Sequence, residues 1–168
     1  MVRKLILSLL IALPLAASAQ RLGYVDTQKI LEAVPEYQQA QTELERLSKQ
    51  WEGEIISMMD DAAALQAQLD AESVLLTPDM VTERQGQIDA IRDSANTLQQ
   101  HYFGPEGLLF TKRAELVAPI QALVAGAIKE VARKRKLDFV FDKGSNIAVV
   151  YAKPAHDYSD EVLQQLGY

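Results

Sequence analysis

One long apolar seam limits what this chain can fold into more than any other feature. From Tyr37 the apolar positions run Tyr37, Ala40, Leu44, Leu47, Trp51, Ile55, Met58, Ala62, Leu65 and Leu69. The steps alternate three and four, with one additional four between Trp51 and Ile55, which predicts a seam helix carrying a local stutter. Outside the seam, Glu43, Glu45, Lys49, Glu52, Glu54, Asp60 and Asp61 make a solvated face. Roughly 40 residues rising about 1.5 Å each give a rod of about 60 Å. A domain of ordinary size cannot bury such a rod along its length, so it is expected to project.

At "LLTPDM" the rod turns back. Thr77 is placed to cap a new helix, Pro78 suits its first position, and Asp79 complements the positive end of its dipole. A second seam follows at Val81, Arg84, Ile88, Ile91, Ala95, Leu98 and Tyr102, and two seam helices joined by a tight turn make an antiparallel helical hairpin. The stretch "HYFGPEGLLF" interrupts the return helix, because glycine costs backbone order and proline removes a hydrogen bond. Gly104, Pro105 and Gly107 are therefore a candidate hinge, with a static kink as the alternative. The seam resumes at Val117, Ile120, Val124, Ala127 or Ile128, and Val131, and Pro119 is expected to bend it.

The two ends read differently. "RLGYVD" is a short strand with Leu22 and Tyr24 facing one way and Gly23 and Val25 the other. "DFVFDKGSNIAVVYA" alternates large apolar with small or polar residues about the turn Lys143 to Asn146, which predicts a β-hairpin. "HDYSDEVLQQLGY" predicts a short helix with Ser159 as cap and Gly167 as stop. The fold class is thus α+β, a coiled-coil-like arm over residues 36–116 projecting from a small β body made by residues 20–35 and 117–168. Three short strands form a poor core by themselves.

Residues 1–19 explain where such a chain works. A basic start, the apolar run "LILSLLIALPLA" and a small-x-small end at Ala19 read as a removable signal peptide. With no cysteine in the chain, disulfides, thiol catalysis and an N-terminal lipid-modified cysteine are excluded together. Export without an anchor points to a soluble protein of the bacterial periplasm, or to secretion where there is no outer membrane. The formal net charge of -6 disfavours general nucleic-acid binding, which needs a Lys/Arg surface.

Catalysis finds little support: His101 and His156 have no metal-ligand spacing, and no nucleophile motif or phosphate loop is present. No cofactor is expected. The basic run Arg133 to Lys136 reads as cations complementing a helix C-terminus. More informative is the apolar surface beyond the seam. Met58 and Met59 cannot share one narrow stripe, and Trp51, Ile55 and Ile56 also spread around the helix. With Leu76 and Met80 near the tip, these are candidate client-binding residues, since methionine and aliphatic groups adapt to varied apolar segments. Broader packing between the two helices is the alternative for Ile56 and Met59, and closure of the turn is the alternative at the tip.

The order of parts, a signal peptide, "GYVDTQKILEAVPEY", a long helical hairpin, "LVAPIQALVAGAIKEVARKRKLDFVFDKGSNIAVVYA" and "HDYSDEVLQQLG", resembles the Skp (OmpH-like) family of periplasmic chaperones. The resemblance covers nearly the whole chain after the signal segment and implies a jellyfish-like homotrimer, with a shared β body and three arms around a cavity. It implies a holdase that binds unfolded outer-membrane proteins without ATP until they are inserted. On that resemblance Leu22, Tyr24, Phe139, Phe141, Ile147, Val149 and Tyr151 belong to the body core or the trimer interface. Family members have basic arm tips, whereas this tip carries Asp70, Glu72, Asp79 and Glu83, which leaves membrane contact through the tips doubtful. The alternative function is an exported coiled-coil adaptor or structural protein that binds one folded envelope partner.

Overall fold

The computed structural model describes residues 20–145 and 149–168. Residues 1–19, read above as a signal peptide, and residues 146–148, with Ile147 among them, lie outside the described residues. The elements run β1 (Leu22–Val25), α1 (Thr27–Ala33), α2 (Pro35–Glu72), α3 (Pro78–Phe103), α4 (Leu108–Arg135), β2 (Phe139–Asp142) and α5 (Ser159–Leu166). The α2 helix has 38 residues, so the arm reaches about 57 Å at the α-helical rise. A single 3₁₀ turn, Ser73–Leu75, closes its end, and α3 starts as its sequence dictates: Pro78 stands in the first turn and the Thr77 hydroxyl accepts the Met80 N–H. The break before α4 is real, with Gly104 ending α3 and Gly107 opening α4, while α4 itself runs through Pro119.

The core is a series of clusters, one in the body and two along α2. At the body, Val25, Ile30, Val124, Ala127, Val131 and Val162 pack together. Next come Val34, Ala40, Leu44, Val117 and Ile120 where α2 lies against α4. Far out, Ala62, Leu69 and Ile88 are buried between α2 and α3, with Leu76 and Val81 against them. The seam positions Ala40, Leu44, Trp51, Ala62 and Leu69 are buried as the spacing predicts, but Leu65 is left exposed.

The sheet corrects the expected β-hairpin. β2 pairs with β1, in parallel, and the register sets Leu22 beside Phe139 and Tyr24 beside Phe141. Val149 to Ala152 forms no strand. Period-two alternation determines which face a side chain takes and is silent about the partner strand, so the turn-like "KGSN" suggested the nearer one. That turn instead folds back on the body: Asp142 accepts the Gly144 N–H and the Thr27 N–H and hydroxyl. The other edge of β1 meets the chain at Asp157, where the Tyr158 N–H donates to the Tyr24 carbonyl at 2.9 Å.

The register also separates the sheet faces. Gly23, Val25 and Val140 turn toward the helices, and a methyl group on Gly23 would come 2.6 Å from the Tyr158 ring and 2.8 Å from Leu137. A bare backbone is what lets α5 and the end of α4 close on β1. The small helix is tied down by Lys29 to Asp160 at 2.7 Å and Arg135 to Glu161 at 2.8 Å. Its expected cap is replaced: the Ser159 hydroxyl donates to Asp157 and accepts the Asp26 N–H, while the Asp157 carboxylate accepts the Ser159 N–H.

Candidate functional site

Among the described residues, exposed apolar groups gather on the arm and on the sheet. On the arm, the candidate residues divide. Trp51 is inside, 8% exposed, stacked on Tyr102 and edge-on to Phe103. Tyr102 in turn donates its hydroxyl to Glu54 at 3.0 Å, which raises the phenol pKa. Ile55, Met58, Met59 and Leu76 are half-buried, whereas Ile56 is 58% and Met80 43% exposed. Ile55, Ile56 and Phe103 share an open groove of about 360 Å³ with Glu52 and Gln99 on its rim. At the tip, Leu76 and Val81 close the turn, but Val74 and Leu75 point into solvent.

The sheet surface is the face opposite the helices. Tyr24 is buried, but Leu22, Phe139 and Phe141 are exposed, and Tyr151 stands out beside them. An open groove of about 720 Å³ runs between this face and the segment carrying Val149 and Tyr151. The residues grouped from the sequence as body core therefore gather on one face, apart from Ile147, which lies outside the described residues.

Charge on the arm is acidic and largely uncompensated. Arg46 is taken by Glu43 at 2.8 Å, Lys49 by Glu45 at 2.6 Å, Lys112 by Glu115 at 2.7 Å, and Arg84 by Glu72. The hydrogen bonds from Arg46 and Lys49 hold the Glu43 and Glu45 carboxyls below the usual range. The basic run at the end of α4 is likewise engaged, with Arg133 on Glu130 and Arg135 on Glu161. Among the described residues no group of His, Asp or Glu is arranged to hold a metal ion.

A long two-helix arm with apolar groups left along it, rooted in a small sheet that joins the two chain ends, is a specific arrangement. Residues 21–166 match the family described as outer membrane protein (OmpH-like). The chain belongs to the OmpH-like family. It is a family of chaperones and not of enzymes. A curated relative, the chaperone protein Skp of Vibrio cholerae serotype O1 (strain ATCC 39315 / El Tor Inaba N16961), is 25% identical over 155 residues, covering 90% of this chain and 86% of the relative. A crystal structure from Caulobacter crescentus CB15, described as an OmpH-like outer membrane chaperone, superposes with a TM-score of 0.71 over 88% of this chain and 84% of that one. At 15% identity, that likeness speaks for the fold.

Within the OmpH-like fold, three features escaped the sequence reading. Phe103 lines the arm groove although it stands one residue off the seam. Phe110 and Leu123 on α4 are 62% and 67% exposed, and seam counting passes over both. A polar layer also crosses the arm, where the Gln66 and Gln85 amides exchange hydrogen bonds at 3.3 and 3.4 Å and Arg92 reaches Gln66 at 3.3 Å. Polar side chains between seam helices favour one register over its neighbours. Glutamines near a seam look like solvated surface until the partner helix is known.

Proposed function

We propose that this OmpH-like chain is an ATP-independent periplasmic holdase that binds unfolded outer-membrane proteins between its arms and prevents their aggregation before insertion. The observation that carries this reading is the set of apolar side chains left uncovered on a charged, projecting arm, Ile56, Leu65, Val74, Leu75 and Met80. Isolated exposed apolar residues are ordinary, but on a rod whose other positions are charged they offer shallow, repeated attachment for chains without fixed shape. Candidate attachment points also include Ile55, Met58, Met59 and Leu76 at the edges of the seam.

Assembly supports the same reading. A two-stranded sheet is marginal in water, and among the described residues Leu22, Phe139 and Phe141 stay exposed on its outer face. Association through that face into a homotrimer completes the body, residues 20–35 and 117–168, and sets three arms, residues 36–116, around one cavity. Residues 1–19 serve as the signal peptide on this reading, and no helix among the described residues is long and apolar enough to cross a membrane.

The test is aggregation of a denatured β-barrel protein on dilution from urea, followed by light scattering. Near-stoichiometric suppression without nucleotide is expected. Failure to suppress aggregation, together with tight binding of one folded envelope protein, would replace the holdase by an adaptor.

A further inference from the structure

The groove lined by Ile55, Ile56 and Phe103 also takes in the Glu52 carboxylate and the Gln99 amide. Glu52 and Asp60 stand one helical row-step before and after Ile56, so carboxylates flank the most exposed isoleucine on α2 along the same row. Of the six arm cations, Arg46, Lys49, Arg84, Arg92 and Lys112 each pair with an arm carboxylate on their own or the facing helix, Lys49 also lying near enough to Glu52 to feel its charge, and exposed Arg113, on α4, is left without an ion pair. Among the described residues, Asp60, Asp61, Asp79, Glu83, Asp93 and Glu106 have no ion-pair partner, and all six are exposed. The excess of acid belongs to residues 36–116, while the rest of the described chain is close to charge balance.

We infer that the arm groove takes unfolded polypeptide segments in which apolar side chains are interspersed with Lys and Arg, and discriminates against acidic segments of equal hydropathy. This rests on the holdase reading and assigns its client class. An apolar side chain of the client covers Ile56 and Phe103, and its neighbouring cations come to rest beside Glu52 and Asp60. An acidic segment would set like charges against the same carboxylates, which opposes binding more strongly than the missing attraction does. Each exposed charge pair is weak and screened by salt, so the selectivity belongs to the sum of carboxylates along the arm.

Trp51, the chain's sole tryptophan, reports on the groove because its ring lies edge-on to Phe103 at 6.3 Å. The purified protein is titrated with three tryptophan-free peptides of equal length: leucines interspersed with lysines, the same leucines interspersed with glutamates, and lysines interspersed with serines. Trp51 emission is followed at low salt and at about 0.5 M NaCl, where charge attraction is largely screened. The expected result is that the leucine–lysine peptide binds about ten-fold more tightly than the leucine–glutamate peptide at low salt, and that most of the difference disappears at high salt. Glu52→Gln with Asp60→Asn should lower the affinity for the leucine–lysine peptide about three-fold or more, and Ile56→Ser should lower it as well. Equal affinity for both leucine peptides overturns the inference, as does serine–lysine binding as tight as leucine–lysine, which would make the attraction charge alone. The aggregation assay separates the two levels. Protection of a β-barrel protein with no peptide preference leaves the holdase and removes its selectivity, whereas peptide preference without protection removes the holdase.

Discussion

The Trp51 indole lies flat on the Tyr102 ring, their centroids 4.9 Å apart and their planes within 6° of parallel, and this pair joins α2 to the last turn of α3 just before the chain breaks at Gly104. Buried aromatic pairs add packing beyond the area they remove from water. Trp51→Ala is therefore expected to destabilise the protein by about 3 kcal/mol, in the range of large-to-small changes in a packed interior. Tyr102→Phe removes only the exposed hydrogen bond to Glu54 and should cost no more than about 1 kcal/mol. Urea unfolding followed by circular dichroism checks both. Equal losses would mean that the phenol hydroxyl, and not the stacking, fastens the arm here.

The break tests differently at its two glycines and its proline. A methyl group on Gly104 would sit 2.4 Å from the Gln100 carbonyl oxygen, and one on Gly107 would sit 2.7 Å from the Tyr102 carbonyl oxygen. Both obstacles are backbone, so Gly104→Ala and Gly107→Ala are expected to cost about 1 to 3 kcal/mol each, while exposed Pro105→Ala stays within about 0.5 kcal/mol. Denaturant midpoints with unchanged slopes would register this. Neutral glycine variants would show that the segment yields to a side chain, the behaviour a hinge requires, and a comparison of small and large clients would then measure its use.

Stability toward acid should depend on Asp157. Burial pushes its carboxyl up, but the hydrogen bonds from the Ser159 hydroxyl and N–H, with Lys29 and Lys143 nearby, outweigh this and hold it below the usual carboxylate range. A depressed folded-state pKa contributes stability that is present above the unfolded value near 4 and is lost as pH falls through the folded one. Thermal midpoints are thus expected to decline as pH drops below about 4, with part of the decline absent in Asp157→Asn. An identical acid profile for the variant would assign that loss to other carboxylates.

Association through the outer sheet face makes the fourth prediction. Replacing Leu22, Phe139 and Phe141 together with serine should reduce the molar mass measured by light scattering to that of one chain, while the helical signal of the arm persists. The unsubstituted protein is expected at the mass of three chains, and a variant that keeps that mass would place the interface elsewhere in the body.

Much of the arm could be read from spacing alone. Ala40, Leu44, Ala62, Leu69, Ile88 and Ala95 repeat at three and four and are buried, because burial on a helix follows a period that the sequence displays. Thr77 was equally legible as a cap, since capping is chemistry between residues three apart. The sheet was not. Which strand lies beside Phe139 is decided by where a distant segment is delivered, and nothing local to "DFVFD" encodes Leu22. The client candidates were legible only as surplus: the spacing identifies Ile56 as off the seam, but that Trp51 is enclosed and Phe103 joins the groove depends on α3 facing α2.

Parallel pairing of the two chain ends also dictates an order of events in folding. The Arg21 N–H donates to Asp138 across a sequence separation of 117, and each residue pair in the β1–β2 register shares that separation. Closing so long a loop directly is slow and entropically costly. The helices shorten it, because once α3 has zipped onto the outer part of α2 and α4 has docked on its root, the ends of the excursion stand side by side and only a short gap remains to be closed. The arm thus acts as the scaffold on which its own root is assembled, and β1, made long before β2, must wait for a strand 117 residues further on before it has a neighbour.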